Sequence, residues 1–353
     1  MLRKSLLDLA PADIGGRRVL IRVDYNVPLA DDGTVRDANR IRATLPTLEY
    51  VIGRAGRPVL LSHLGRPKGH VVPGLSLAPV APVLESLLGR PVLFVASTDS
   101  PEALQASEDL PADTVLLLEN TRFLPGETKN DPELSARLAR LGDVFVNDAF
   151  GSTHRSHCST VGVTEHLRPA VAGLLVQREL EALGALREAD RTPFTVLLGG
   201  AKIGDKIGLL ETFLERADSL LIGGAMANTF LAAAGGSTGR SLVEREATSV
   251  AQRFLGSGSD KLHLPIDLVV ADPDARDASD ARVVPAMEVP DGLSALDIGP
   301  ETRDAFGDVV RGSGTVFWNG PMGLFERPGF DVGTAAVARA AAACTSEGGF
   351  TVV

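Results

Sequence analysis

The chain has 353 residues, enough for two domains with sizeable cores. Its apolar content is 44%, its charged content 23% and its net charge −10, which speaks against general nucleic-acid or membrane-surface binding but leaves room for a small anion at a local basic cluster. Cys158 and Cys344 are its two cysteines, too few and too far apart for a disulfide framework or a CxxC metal knuckle, and they suit a reducing, cytoplasmic setting.

MLRKSLLDLA lacks a long apolar stretch and a small-residue cleavage site, so no signal peptide is expected. No run approaches the ~18 apolar residues of a spanning helix. The strand candidates are RVLIRVD (18–24), RPVLLS (57–62), RPVLFVA (90–96), TVLLLEN (114–120) and DVFVND (143–148), then FTVLLGG (194–200), SLLIGG (219–224), DLVVAD (267–272), TVFWNG (315–320) and FTVV (350–353). They are continuous apolar runs rather than alternations, the pattern of parallel sheets covered on both faces. Helix-like segments intervene, among them 131–142, 247–256 and 336–344. The expected fold class is α/β, with two doubly wound, mostly parallel, Rossmann-like domains. A long helix-like stretch, 168–190, divides the strand candidates five and five. The expected domains are residues 1–168 and 191–353, with 169–190 as interdomain helix and hinge.

Ligands of open α/β sheets bind beyond the carboxyl ends of the strands. In the first half those ends are DYN (24–26), SHLGRPKG (62–69), ENTRF (119–123) and NDAFGSTHRSH (147–157), which carry His63, Arg66, Arg122, His154, Arg155 and His157. Arginine forks suit carboxylates and phosphates, so this half offers a basic cup. In the second half the ends are GGAK, IGGAMANTF (222–230) and WNGPMG (318–323), rich in glycine and almost uncharged apart from Lys202 and Lys206. The run 202–217 reads as a helix with both lysines in its first turn. Two cations four apart at a helix N-terminus are unfavourable unless an anion joins them, so a phosphate site is expected there.

No GxxxxGK[ST] is present, nor a GxGxxG opening a helix with an acid ~20 residues on, so P-loop and dinucleotide chemistry lack support. Six histidines show no HExxH pattern, and no metal ligands are assigned.

RVDYNVP (22–28), DANRIRA (37–43), SHLGRPKG, ENTRF, NDAFGSTHRSH, GGAKIGDK (199–206) and WNGPMGLFE (318–326), in this order across nearly the whole chain, resemble the signature segments of the phosphoglycerate kinase family. The resemblance implies a cytoplasmic, monomeric, glycolytic enzyme. Its reaction would be reversible transfer of a phosphoryl group between 1,3-bisphosphoglycerate and ADP, giving 3-phosphoglycerate and ATP with Mg²⁺. The glycerate would sit on the N-terminal domain and the nucleotide on the C-terminal one, with hinge closure between them and no nucleic-acid or membrane partner.

Carried over residue by residue, the resemblance puts Asp24, Tyr25 and Asn26 at the substrate, with Asp24 and Asn26 on its hydroxyl and carboxylate end. Arg40, His63, Arg66, Arg122 and Arg155 would form the basic cluster, with Leu64 and Gly65 supplying backbone. Lys206, Gly223, Gly224, Asn319 and Glu326 would serve the nucleotide, and Lys202 with Arg40 the phosphoryl group in flight. Two small departures, Ala225 and Ala295 where the family favours glycine, would line the adenine side.

The chain also ends within FTVV, ahead of the family's GGGD-type loop and last helical segment. This implies a C-terminally incomplete nucleotide domain and a family Mg²⁺ ligand beyond Val353. The chain would then be a portion of a longer kinase, the favoured reading, or a natural impaired form. Two other functions compete: a non-catalytic protein that keeps the phosphoglycerate cup, and an NAD-linked dehydrogenase resting on fold analogy alone.

Overall fold

Each of the ten apolar runs forms a strand in the computed structural model, which describes residues 4–187, 191–257 and 260–353. The chain divides into two compact units, Met1–Glu181 and Ala182–Val353.

Unit 1 is built on β1 (Arg18–Arg22), β2 (Arg57–Leu61), β3 (Val92–Val95), β4 (Val115–Leu118), β5 (Val144–Asn147) and β6 (Ala170–Ala172). They form one parallel sheet in the order β3-β4-β2-β1-β5-β6. Successive side chains of a strand face opposite ways, and here both faces are covered. Val19 and Ile21 join the core under the helix Asn39–Ile52, with Ile41, Leu48 and Val51. Leu20, between them, joins the opposite core with Leu134, Leu138 and Phe145. The helix on that side, Pro132–Ala139, starts where Asp131 accepts from the Leu134 amide and Pro132 takes the first position.

The expected helix over 168–190 is shorter. Ala170–Ala172 is an edge strand on β5, and the helix runs Leu174–Arg187. Pro169 disfavours helix at the residue before it, and pairing with Phe145–Asn147 draws the next residues into the sheet. Residues 188–190 of that expectation lie outside the described residues. The division between the units falls within this helix, after Glu181.

Unit 2 contains β7 (Phe194–Leu198), β8 (Ser219–Ile222), β9 (Ser237–Thr238), β10 (Leu262–His263), β11 (Asp267–Ala271), β12 (Arg282–Pro285), β13 (Glu288–Val289), β14 (Ser294–Ile298), β15 (Thr315–Asn319) and β16 (Phe350–Val352). A parallel sheet, β10-β8-β7-β15-β16, has β7 buried along its whole length. Val196 and Leu198 face Leu210, Phe213 and Phe230, while Leu197 faces Phe306, Val310 and Val337. β16 is a half-buried edge strand.

DLVVAD departs from expectation. As β11 it pairs antiparallel with both β12 and β14 in a separate three-stranded sheet. Its continuous apolar run reports burial on both faces, and burial does not dictate the direction of the neighbouring strands.

Candidate active site

The cup of unit 1 gathers at the carboxyl ends of β1, β2, β4 and β5, four adjacent strands. Asp24, just past β1, accepts 2.7 Å from the Arg40 guanidinium at the start of the helix Asn39–Ile52. Asn26 holds the loop after β2, its Oδ1 accepting from the Gly65 amide at 2.8 Å. Gly65 has φ +61, and a Cβ there would come 2.7 Å from the Leu75 side chain, so a residue other than glycine would be both strained and crowded. Arg122, after β4, donates to the Gly65 carbonyl at 2.8 Å. Leu64 is buried, and its carbonyl accepts from Asn120 Nδ2 at 2.7 Å. Arg66 is exposed and Arg155 half-buried.

Tyr25 stands apart from the rest of this set. Its side chain is fully buried, and its hydroxyl shares a 2.9 Å hydrogen bond with Thr44. Burial pushes the phenol upward, and a hydroxyl engaged this way is not available to a ligand. Period-two alternation past the end of β1 turns it inward between Asp24 and Asn26.

The electrostatics of the cup are strained in one direction. His63 is 5% exposed, and burial with nearby Arg22, Arg122, Arg155 and His157 lowers its imidazolium to about 2, so the ring is neutral. Burial also lowers Arg122, reinforced by Arg155 and Arg22. The Arg122 Nε is buried without a hydrogen-bond partner. Clustered guanidiniums with an unpaired donor are costly alone and are relieved by an arriving anion.

Beneath them lies a buried chain that the sequence reading did not name. Arg22, fully buried in β1, donates from Nε to Ser159 Oγ at 2.8 Å and faces His63 Nδ1 at 3.1 Å. Ser159 Oγ in turn donates to the buried carboxylate of Glu127 at 2.5 Å. An arginine inside the otherwise apolar stretch VLIRV (19–23) was the available signal, since a fully buried arginine needs partners. Glu127 and Ser159 carried no such signal, because their burial depends on distant elements.

In unit 2 the ends of β7, β8 and β15 meet backbone to backbone. Gly200 N donates to the Pro321 carbonyl, and Gly224 N to that of Met322. A Cβ at Gly199 would lie 2.1 Å from Pro321 O, and one at Gly224 2.6 Å from Gly200 N. Gly223 N is likewise used, by the Leu198 carbonyl. These glycines therefore serve close approach rather than free amide donation.

The lysine pair also differs from expectation. The helix runs Ile207–Arg216, preceded by a 3-10 turn over Gly204–Lys206, so Lys202 lies in the loop and shares no helical face with Lys206. Gly200, at φ +87 with its amide bonded to the Pro321 carbonyl, and the Glu244 carboxylate on the amides of Ile203 and Gly204 delay helix entry. The Lys206 ammonium is drawn to the carbonyls of Gly199 at 2.5 Å and Asn319 at 3.0 Å. Lys202 is exposed. The amides of Ile203 and Gly204 already meet an anion, the carboxylate of Glu244.

Beside these strand ends a cavity of about 630 Å³ opens. Gly224, Ala225, Ala295 and Glu326 line it, and Leu268, Met322 and Phe325 give it apolar walls. Such size and lining suit a planar base with few polar anchors. Gly223 and Asn319 flank the junction rather than line the cavity, although the Asn319 carbonyl holds Lys206. Asp297 forms part of the wall, and burial raises its carboxyl to about 6. Among the described residues, no group of three or more His, Cys, Asp or Glu could hold a metal ion. They do not by themselves form a Mg²⁺ site.

A guanidinium-lined anion cup on one parallel sheet and a base-sized cavity beside lysines on another fit the class of nucleotide-dependent phosphotransferases. Comparison with known proteins specifies the class. Residues 9–353 match the family model described as phosphoglycerate kinase. A phosphoglycerate kinase of Thermus thermophilus is 52% identical over 353 residues, covering 99% of this chain and 88% of that one. Among solved structures, the phosphoglycerate kinase of Coxiella burnetii aligns with a TM-score of 0.77 at 38% identity, covering 99% of this chain and 87% of that one. That of Pyrococcus horikoshii aligns at 0.86 and 28%, covering 99% and 91%.

The chain belongs to the phosphoglycerate kinase family. Its reaction is reversible phosphoryl transfer between 1,3-bisphosphoglycerate and ADP, giving 3-phosphoglycerate and ATP, a step of glycolysis.

Proposed function

We propose that the cup of unit 1 holds the phosphoglycerate and the cavity of unit 2 the adenine nucleotide. Asp24 and Asn26 take the hydroxyl and carboxylate end. His63, Arg66, Arg122 and Arg155 surround the phosphate with Arg40, and Leu64 and Gly65 contribute backbone. Tyr25 contributes main chain alone. Lys206 faces nucleotide phosphates, Gly223 and Gly224 shape the junction, and Asn319 and Glu326 serve the nucleotide side. Lys202 and Arg40 serve the phosphoryl group in transfer. Residues 1–168 and 191–353 act as the two substrate domains, with the intervening helix as hinge. Mg²⁺ would be brought to the site by the nucleotide phosphates, as is common in kinases, where it would offset their charge. We assign the protein to the cytoplasm as a monomer.

The observation that carries this reading is the cup itself: Arg122, depressed by burial, Arg155 and Arg22, keeps a buried Nε without a partner. A dianionic phosphate supplies the missing acceptor and relieves the mutual repulsion. The chemistry needs no general base, because the accepting carboxylate is already ionised. Catalysis then rests on positioning and on cations around the transferring oxygens. Bringing the two substrates into line excludes water that would hydrolyse the acyl phosphate.

The test is a coupled assay of ATP-dependent phosphorylation of 3-phosphoglycerate. Lys202→Ala, Arg40→Ala and Arg155→Ala should each lower kcat/KM by roughly 10²–10³-fold. Activity indifferent to all three overturns the assigned roles. Binding of 3-phosphoglycerate without turnover would instead favour a non-catalytic cup.

A further inference from the structure

The loop 199–206 between β7 and the helix Ile207–Arg216 is held from outside. The amides of Ile203 and Gly204 donate to one carboxylate oxygen, Glu244 Oε2, at 2.6 and 3.1 Å. Glu244 lies 41 residues beyond Ile203. Its own position is fixed by its main-chain N–H, which donates to Thr229 Oγ1 at 3.0 Å. Thr229 is fully buried in the helix Gly224–Ala233, whose first residue lines the nucleotide cavity. Gly204 lets the carboxylate close in, since a Cβ there would lie 3.0 Å from Glu244 Oε1. The Ile203 side chain, fully buried, anchors the same turn from within.

Lys202 immediately precedes this clamped pair of amides. It is exposed and makes no hydrogen bond or ion pair among the described residues, whereas Lys206 is tied to carbonyls of β7 and β15. A carboxylate beside a loop that serves phosphates opposes anion binding through like charge. Its compensating benefit lies in loop geometry. Two charge-assisted hydrogen bonds to consecutive amides fix the main chain on which Lys202 is carried.

We infer that Glu244 is a positioning residue for phosphoryl transfer: its carboxylate clamps the main chain at Ile203 and Gly204 and so aims Lys202. This rests on the role given to Lys202 above. It adds a residue from a different loop to the catalytic apparatus and links the lysine loop to the helix that borders the cavity.

The experiment uses the full chain and the variants Glu244→Ala, Glu244→Gln and Lys202→Ala, singly and combined. Glu244→Ala should lower kcat tenfold or more, leave KM for 3-phosphoglycerate within twofold, and accelerate hydrogen exchange of the Ile203 and Gly204 amides. Glu244→Gln keeps an acceptor oxygen without the charge, so its kcat and exchange rates should be intermediate. In a Lys202→Ala background, Glu244→Ala should lower kcat less than twofold further, because residues acting through one another are not additive.

Full multiplicative loss in the double variant, or wild-type kcat in Glu244→Ala, overturns the inference. If Glu244→Ala does not fold, Glu244→Gln decides: wild-type kcat and exchange in that variant overturn it equally. An inactive wild-type chain would count against the proposed function, while the exchange rates would still test the clamp.

Discussion

Arg22 determines which proton His63 carries. A guanidinium has no acceptor, so at 3.1 Å the Arg22 group donates to Nδ1 and leaves the ring proton on Nε2. In the proposed site, His63 would thus meet the phosphoglycerate as a neutral donor. With the imidazolium lowered to about 2, the folded state resists a proton that the unfolded chain accepts near pH 6.5, so this residue costs stability as pH falls below 6.5. Two-dimensional ¹H–¹⁵N spectra should show the neutral Nε2–H form from pH 8 to pH 5; an imidazolium signal in that window would contradict it. Arg122→Ala removes the group with the unpaired Nε. It should raise KM for 3-phosphoglycerate roughly 10- to 100-fold, the worth of one or two charge-assisted hydrogen bonds, with KM for ATP within twofold. Of the residues proposed for the substrate, His63, Arg66, Arg122 and Arg155 could be picked out because strand ends can be read from apolar runs, whereas Asp24, Asn26 and Arg40 were assigned through the family resemblance. Arg22, Asn120, Glu127 and Ser159 were not singled out, because their partners are supplied by other strands and loops.

The helix Leu174–Arg187 shows how an element is anchored by distant residues. Its first amide donates to Thr47 Oγ1 at 3.0 Å, and the next to Asp148 Oδ1 at 2.9 Å. Asp148 is fully buried, and burial raises its carboxyl to about 6 despite these bonds. Between about pH 4 and pH 6 the unfolded carboxyl is ionised while the folded one holds its proton, so Asp148 makes the native state lose stability as pH rises through that window. The ionisation cost is fully present above pH 6 and absent below pH 4. In urea unfolding, the stability of Asp148→Asn relative to wild type should fall by roughly 2–3 kcal/mol from pH 7 to pH 4. A constant difference would show that Asp148 is ionised throughout. The lysine loop carries the same lesson. Its sequence reads as a helix from Lys202, yet Glu244 and the approach of Pro321 and Met322 hold 199–204 out of the helix.

At the scale of the molecule, each unit has its own two-sided sheet and its own cores. A ligand that binds only the folded form of one unit stabilises that unit by about 2.7 kcal/mol at a hundredfold excess over Kd. Calorimetry should therefore resolve two transitions. 3-Phosphoglycerate should raise the one belonging to Met1–Glu181, and ATP the one belonging to Ala182–Val353; equal shifts of both by either ligand would contradict the division of substrates.

Class, strand positions and the family were determined by the sequence alone, and so was the set of strand ends to which the proposed site is assigned. Continuous apolar runs report two-sided burial, and ordered motifs are local. The antiparallel setting of DLVVAD, the inward turn of Tyr25, the place of Lys202 outside its helix, and the pairing of Arg22 with Ser159 and of Glu244 with Ile203 were decided only by the tertiary structure. The last two contacts join residues 137 and 41 positions apart. Such contacts depend on which strands and loops lie side by side, and spacing along the chain carries no record of that.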